Sequence, residues 1–259
     1  MRIAELTDWA QRRLLIAGFV GLVFSGISQA APTCGVDTLA DYIASSGCSI
    51  GIFTINDFAF ASQGVGSPTL LLASQITVTP TINLVGGTFD FQFQPNSAPG
   101  FSVLQNQSAT YFINYDVDPH PPVIHAMFAE ETRASVVPVQ LTEDLCEGAL
   151  FTGPTQGPAS CSGTFQQLVL NGPGSPSTNV TFPTDVGELS IRNTLNLTGS
   201  FSVGAQVDSF DNQTTVSDPS VLRALPEPAT PLFVVLGLLG LFVFQGRAKL
   251  CEVLLKFRS

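Results

Sequence analysis

Residues 89–94 constrain the fold of this chain more than any other short segment. Phenylalanine and polar residues alternate strictly there, in the order F-D-F-Q-F-Q. Successive side chains of a β-strand point to opposite faces, so Phe89, Phe91 and Phe93 fall on one face and their polar neighbours on the other. Gly86-Gly87, just before this segment, indicates a hairpin turn. The segment therefore predicts a strand in a sheet with one buried face.

The same alternation recurs along the chain. Tyr111, Ile113, Tyr115 and Val117 share one face of a second predicted strand. Further strands are predicted over residues 76–84, 136–141 and 165–170 and from residue 189 onward, with Gly199-Ser200 as a hairpin signal and one helical turn at 38–44. Eight or more short strands with many Gly and Pro turns predict an all-β fold, an antiparallel β-sandwich over residues 31–206.

The segment after this predicted sandwich is polar. Residues 207–224 show no clear periodicity of two or 3.6. Such a composition is typical of a tether between folded or anchored parts. The sequence therefore predicts a linker over residues 207–224.

Four cysteines lie in the predicted sandwich, and Cys251 stands apart from them. They are Cys34, Cys48, Cys146 and Cys161. Four cysteines allow three connectivities, and the sequence alone does not choose among them. Pairing within the two close pairs would close loops of about 15 residues, for which loop entropy predicts about 3 kcal/mol of stabilisation each. Disulfides of this kind indicate an oxidising compartment.

The charge of the central segment excludes one class of partner. Residues 31–225 hold three arginines, no lysine and sixteen acidic residues, which is a net charge of −13. A surface of this sign is repelled by nucleic acid and by anionic lipid headgroups. We therefore expect no nucleic-acid partner.

The N-terminal residues predict export. Arg2, Arg12 and Arg13 precede the apolar run Leu14–Ile27, and the small-residue triplet Ser28-Gln29-Ala30 follows it. A basic region, an apolar core and a small-residue site form a secretory signal peptide, here residues 1–30. An uncleaved N-terminal anchor is the alternative interpretation.

The C-terminal tail has three features in a fixed order. Pro226-Glu227-Pro228 precedes the uncharged run 229–244, and Arg247 follows it. As a helix, this run would be about 24 Å long, which is shorter than the ~30 Å hydrocarbon core. The basic residues after it favour a transmembrane helix whose C-terminal end faces the cytoplasm. A buried core helix is the alternative.

This tail, residues 225–248, resembles the PEP-CTERM sorting signal of exported proteins. The resemblance rests on Pro226, Glu227, Pro228, the apolar run and Arg247. It implies that an exosortase is a transient partner and that the protein passes through an inner-membrane intermediate. It also implies a destination at the cell surface or in the extracellular matrix, where exopolysaccharide is a further partner. Residues 249–259 depart from the family pattern as a basic amphipathic extension, and permanent anchoring is the alternative fate.

A serine motif provides one candidate for catalysis. Gly47-Cys48-Ser49-Ile50-Gly51 matches the G-x-S-x-G pattern, and Asp116 and His120 follow in hydrolase order. The motif requires a strand–turn–helix elbow. Cys48 is a candidate for a disulfide, and a predicted strand follows the motif. Chance is the favoured explanation, and we expect no enzymatic activity.

Asp116, Asp118 and His120 form the one candidate metal site. On a strand their alternate positions place the three side chains on one face. Calcium is the ion that such oxygen ligands favour, although it needs six to eight donors. The alternative is a solvated strand face that continues into a proline-rich loop. No other cofactor is expected.

These observations lead to one function and one alternative. The leading hypothesis is a non-enzymatic surface or extracellular-matrix protein, exported and sorted through its tail. The alternative is a permanently anchored binding module for a glycan or calcium. The closely spaced phenylalanines suggest an aromatic sugar platform, but phenylalanine at a period of two is more often part of a core.

Overall fold

Two antiparallel β-sheets packed face to face form the core of the protein. The computed structural model describes residues 32–118, 122–133, 139–156, 160–171 and 177–223. The predicted signal peptide 1–30, sorting tail 225–248 and extension 249–259 lie outside these residues. The predicted all-β sandwich is confirmed for the part of the chain that the structure describes.

Fifteen strands and one short α-helix are described, together with two 3-10 helices. In chain order they are β1 (Asp37–Thr38), α1 (Leu39–Ala44), β2 (Cys48–Ile50), β3 (Phe53–Val65), a 3-10 helix (Ala73–Gln75), β4 (Ile76–Asn83), β5 (Thr88–Pro95), β6 (Phe101–Val103), β7 (Ser108–Asp118), β8 (Ile124–Arg133), β9 (Val139–Glu147), β10 (Phe151–Thr152), β11 (Ser160–Cys161), β12 (Thr164–Asn171), β13 (Ser177–Val186), β14 (Leu189–Thr198), β15 (Ala205–Val216) and a 3-10 helix (Pro219–Arg223). None of the helices among these residues has the length and apolarity needed to cross a membrane.

The strands divide into two large sheets and one small hairpin. The seven-stranded sheet has the order β1-β4-β5-β15-β8-β13, and β6 pairs with the start of β15. The six-stranded sheet has the order β12-β9-β14-β7-β3-β2, and β10 pairs with β11 in a separate hairpin. Consecutive strands β14 and β15 belong to different sheets, so the chain crosses from one sheet to the other between them.

Aromatic rings fill the space between the sheets. Phe89, Phe91 and Phe93 of β5 are at most 1% exposed, as their alternation predicts. Tyr115 of β7 reaches them from the opposite sheet, with ring centroids 5.6 Å from Phe91 and 6.1 Å from Phe93. Phe53 of β3 lies 4.9 Å from Phe89 in the same way. These phenylalanines therefore belong to the core and do not form a sugar platform.

The helix α1 covers one open side of the sandwich, between strands of the two sheets. Thr38 caps it, because its hydroxyl oxygen accepts a hydrogen bond from the backbone N–H of Asp41 at 3.2 Å. The side chains of Leu39 and Tyr42 on this helix are buried in the core. The predicted helical turn is therefore confirmed.

The predicted linker is wrong. Residues 205–216 form β15, which lies in the middle of the seven-stranded sheet between β5 and β8. A register shift between Val207 and Ser209 breaks the alternation, and two inward positions are polar, Asn212 and Thr214. Both features hide the period of two in the sequence. The sandwich therefore extends past residue 206, and its described part ends at Arg223.

Two further sequence predictions need correction. Gly199-Ser200 does not form a hairpin between paired strands, because β14 before it and β15 after it lie in different sheets. The strand expected at residues 136–141 is described from Val139 and continues to Glu147. Gly199-Ser200 does follow a strand, but its spacing does not show which strand β14 pairs with. The apolar residues near 139 do belong to a strand, but their spacing does not show where the strand ends.

Residues 31–226 form one compact unit with a complete core of its own. Every buried residue of the apolar cluster lies between Leu39 and Leu222. Two disulfides close within the same range, Cys34–Cys48 and Cys146–Cys161. The unit therefore contains the apolar burial and the crosslinks that it needs to fold by itself.

A buried polar network crosses the core between the sheets. Asn212 of β15 donates a hydrogen bond to Glu143 Oε2 of β9 at 2.5 Å, and Asn193 of β14 donates to Asn212 Oδ1 at 2.8 Å. The Tyr115 hydroxyl also donates to Asn212 Oδ1, at 3.3 Å. Glu143 and Asn212 are 0% exposed, and burial raises the pKa of Glu143 to about 8 although the bond from Asn212 opposes this. Near neutral pH, Glu143 is therefore held largely as the neutral acid.

This network predicts a stability that depends on pH. Between pH 4.5 and about 8 the folded state holds the Glu143 proton and the unfolded state does not, so stability falls as pH rises through this window. The slope approaches about 1.4 kcal/mol for each pH unit. The replacement Glu143→Gln should remove the part of the pH dependence that comes from Glu143. Urea unfolding at pH 5, 6, 7 and 8 measures the free energy of unfolding of both proteins. Asp208→Asn on the exposed surface is the control, and an unchanged slope in Glu143→Gln would contradict the assignment.

Candidate functional site

The disulfide-closed segment 146–161 partly covers the outer face of the six-stranded sheet. Cys146 and Cys161 are bonded, and β10 and β11 form a hairpin within the segment. Arg192 points outward from β14, and its Nη2 donates a hydrogen bond to the backbone oxygen of Pro154 in this segment. Arg192 is therefore only 3% exposed although it lies on the outer face.

Ser49 does not occupy a nucleophile elbow. It lies inside β2, where it pairs with Thr54 of β3, and the neighbouring Cys48 is bonded to Cys34. Ser49 is 7% exposed, and its hydroxyl donates to the backbone oxygen of Pro32 at 3.4 Å. The strand β2 ends at Ile50, and after a two-residue turn the chain returns as the antiparallel strand β3, where a hydrolase would need a helix. The structure therefore gives no support to the serine-hydrolase hypothesis.

The candidate metal ligands are described in part. Asp116 points outward from β7 and is 9% exposed, and burial followed by repulsion from Asp57 and Glu188 raises its pKa to about 6. Asp118 ends the same strand, whereas His120 lies outside the described residues. Among the residues that are described, no group of three or more His, Cys, Asp or Glu side chains is arranged to hold a metal ion. The calcium site stays a prediction.

An exposed His–Asp pair and two disulfides account for other residues that stand out in the sequence. The Nδ1 atom of His125 in β8 lies 3.0 Å from Oδ1 of Asp185 in β13, and the His125 side chain is exposed. The four cysteines form the two disulfides between near neighbours. The sorting-signal residues Pro226, Glu227, Pro228 and Arg247 lie outside the described residues.

The outer face of the seven-stranded sheet carries a band of polar side chains around one aromatic ring. Phe128 of β8 points outward, because its neighbours Met127 and Ala129 are 0% exposed and face the core. Gln213 of β15 stands directly opposite it on one side, and Asn179 of β13 on the other. Directly opposed side chains on antiparallel strands have Cβ atoms about 5 Å apart. The ring is therefore flanked by two amides.

This row continues across the sheet, and a second row lies next to it. Register assigns the first row to Thr81, Asp90, Gln213, Phe128 and Asn179, and the second to Thr79, Gln92, Asp211, Glu130 and Ser177. Each row crosses five strands, which is about 19 Å at the usual strand spacing. We call these ten residues the polar band.

Three carboxyl groups lie close together in the polar band. Burial, followed by the negative charge of Asp211, raises the pKa of Asp90 to about 7. Burial and then the charge of Glu130 raise the pKa of Asp211 to about 6, although a hydrogen bond with Gln92 opposes this. One carboxyl oxygen of Asp90 and one of Asp211 are buried without a hydrogen-bond partner among the described residues, which favours the neutral acids.

The polar band combines two kinds of recognition chemistry. An aromatic ring offers an apolar surface for the C–H face of a ligand. Amides donate and accept hydrogen bonds, hydroxyls do the same, and a carboxyl group accepts from hydroxyl donors. The band contains no lysine or arginine. Its side chains therefore suit a ligand that is rich in hydroxyl groups and carries no negative charge.

The sequence did not reveal this band for an identifiable reason. Asp211 and Gln213 lie in the segment that the sequence predicts to be a linker, and Phe128 lies in β8, where the sequence predicts no strand. The inward face of β8 includes Glu131, which is 0% exposed. A charged residue at an inward position makes the sequence of β8 resemble that of a loop. Residues 126–129, A-M-F-A, are all apolar, so no polar alternation in the sequence marks the outward position of Phe128.

Comparison with known proteins provides no family for this chain. No family model matches it, and no curated protein matches it. The carbohydrate-binding module TmCBM61, solved in complex with beta-1,4-galactotriose, is similar at a TM-score of 0.31 and 9% identity, over 59% of this chain and 86% of that chain. The enzymatically active domain of tailspike protein 4 from bacteriophage CBA120 is similar at 0.28 and 11%, over 61% of this chain and 19% of that one.

A further similar structure comes from work on carbohydrate-binding modules of the β-sandwich superfamily. It aligns at a TM-score of 0.28 and 8% identity, over 73% of this chain and 62% of that chain. Alignments at this level do not bear on what the chain binds.

The electrostatics of the polar band predict a coupled titration. The Asp90 carboxyl should titrate near pH 7, and replacement Asp211→Asn should lower its pKa, because a neighbouring negative charge is removed. Carbon-13 NMR of the side-chain carboxyl groups measures this shift. Asp116 on the opposite sheet serves as the internal control, because its pKa should stay near 6 in the variant. An unchanged Asp90 pKa would show that the two groups do not interact.

Proposed function

We propose that residues 31–226 form an exported, non-catalytic module that binds a neutral glycan chain across the polar band. The observation that carries the proposal is the position of Phe128 between Gln213 and Asn179 on a sheet face. A sugar ring presents C–H groups on its face and hydroxyl groups at its rim. An aromatic residue with flanking amides matches both parts of such a ring.

The extent of the polar band favours a chain over a single sugar. Its two rows cross five strands, or about 19 Å, and polar side chains continue on both sides of Phe128. Gln92 of β5 adds a third amide in the second row. An extended ligand would therefore meet hydrogen-bonding groups along its whole contact with the sheet.

The charge of the site favours a neutral glycan. Asp90, Asp211 and Glu130 lie within the polar band, and repulsion among them already contributes to raised pKa values. A uronic acid or a sulfated sugar would add further negative charge beside these groups, which costs free energy. A neutral exopolysaccharide of the cell envelope fits both this surface and the destination that the tail resemblance implies.

Delivery of the module is the second part of the proposal. The signal peptide 1–30 supports secretion, and the tail 225–248 supports sorting by an exosortase from an inner-membrane intermediate to the surface or matrix. The two disulfides agree with folding in an oxidising compartment. The glycan-binding module would be the cargo that this tail delivers.

The first test measures glycan binding by residues 31–226. In affinity electrophoresis with a panel of neutral polysaccharides, at least one should retard the protein, and Phe128→Ala should weaken that binding about tenfold because the stacking contact is lost. Gln213→Ala should weaken it too. Gln140→Ala on the other sheet's outer face is the matched control and should bind as the wild type does.

Several results would contradict the glycan proposal. Binding that Phe128→Ala leaves unchanged would place the ligand elsewhere. Preference for polygalacturonate over every neutral polymer would contradict the assignment of a neutral ligand. Release of new reducing ends from the bound polysaccharide would show that the module is catalytic.

The second test follows the tail of the full chain in a host that carries an exosortase. Intact-mass spectrometry should find protein ending near Pro228 in the envelope or the medium. The double replacement Glu227→Gln and Pro228→Ala should block processing and leave the C-terminus at Ser259. The control Lys256→Ala, in the extension, should still be processed to a C-terminus near Pro228. Wild-type protein that always ends at Ser259 would support permanent anchoring instead.

A further inference from the structure

One pole of the sandwich presents apolar side chains to solvent. This is the pole where β3 and β14 end and β7 begins. The exposed fractions there are 72% for Val65, 72% for Leu104, 92% for Phe201 and 46% for Val203. We call these four residues the apolar tip. Exposed apolar groups concentrated at one place usually mark a surface that binds something.

The loops that carry the apolar tip are tied to one another. They follow β3, β6 and β14 along the chain. The hydrogen bonds between them are Asn106 N to Ser200 O at 3.3 Å, Gly199 N to Gln107 O at 2.9 Å, Gln105 Nε2 to Ser202 O at 2.7 Å and Gln107 Nε2 to Gly66 O at 3.1 Å. Many polar groups of the tip are thus satisfied within the protein. Polar groups that enter an apolar medium need such internal hydrogen bonds, because the medium offers them no partner.

The loops of the apolar tip carry no charge. Residues 65–75, 96–108 and 199–207 contain no Asp, Glu, Lys, Arg or His, although the segment 31–225 has a net charge of −13. Arg133, which pairs with Val207, and Asp208, which follows Val207, are the charged residues that border these segments.

The described ends of the chain lie at the opposite pole. Ser49 N donates to Pro32 O at 2.7 Å, and Ile52 N donates to Val221 O at 3.2 Å. Both contacts are next to Thr54, which pairs with Asp118 at the far end of β7. The apolar tip is therefore remote from both ends of the described chain.

The size and charge of the apolar tip select among possible occupants. A stable dimer buries about 800 Å² on each partner, whereas the tip offers four side chains. Two copies that each carry a charge of −13 also repel one another. A bilayer interface requires neither a large complementary area nor opposite charge, and it accepts apolar side chains from a loop whose backbone is satisfied.

We propose that the apolar tip inserts into the interface of a lipid bilayer with uncharged headgroups. Phe201 and Leu104 are the main inserted side chains, and Val65 and Val203 support them. The acidic body of the domain opposes binding to anionic headgroups, so the preference is for zwitterionic lipid. This function is independent of the polar band, which lies on the face of the sheet and not at its end.

The test uses residues 31–226, which hold the complete core, in flotation with phosphatidylcholine vesicles. Wild-type protein should float with the vesicles, and Phe201→Ser should weaken binding about tenfold through lost apolar burial. Val85→Ser is the matched control, because Val85 is also 92% exposed but lies in the β4–β5 turn at the other pole. Vesicles containing phosphatidylglycerol should bind less protein, and added salt should reduce this difference. Circular dichroism checks that each variant is folded.

Each contrary outcome would overturn the proposal. Wild-type protein that does not float, or equal loss in Phe201→Ser and Val85→Ser, would show that the tip does not insert. Stronger binding to anionic vesicles would show that charge, not the tip, controls adsorption. A wild-type dimer in sedimentation velocity that Phe201→Ser dissociates, without vesicle binding, would assign the tip to a second copy of the chain.

Discussion

The packing of two aromatic-rich sheet faces against each other determines the rest of this molecule. Once Phe91 and Phe93 face Tyr115 across the core, the period of two sends every alternate side chain of β5 outward. Asp90 and Gln92 thereby reach the outer face. The acidic and amide groups of the polar band are where they are because the phenylalanines between them are buried.

The strand β15 shows how the core tolerates polarity. It is central in its sheet, yet Asn212 and Thr214 are among its inward-facing residues. Asn212 is accommodated because Glu143, Asn193 and Tyr115 surround it with hydrogen-bonding groups. Such a network joins three strands of the six-stranded sheet to one strand of the other, which specifies how the two sheets align more narrowly than apolar contact does.

The sequence predicted the parts of the fold in which burial and polarity agree. The strands around Phe91 and Tyr115, the turn of helix at Thr38 and the sandwich class follow from patterns that can be counted in the chain. It failed at β15 and β8, where inward positions hold Asn212 and Glu131 and a register shift interrupts the alternation. The polar band was missed for the same reason, because its central residues stand on those two strands. Which strands pair with each other depends on residues far apart in the chain, and local periodicity carries no information about that pairing.

The position of β15 has a mechanical consequence. Its C-terminal end leads into the 3-10 helix at Pro219–Arg223, and its two long edges are bonded to β5 and β8. If the polar band holds a glycan while the tail holds a membrane, tension between them runs lengthwise along this strand. Hydrogen bonds on both edges would then be loaded together in shear, and no single bond at the end of the ladder would have to bear the force. Under that tension, the central position of β15 would help the sandwich to resist being pulled apart.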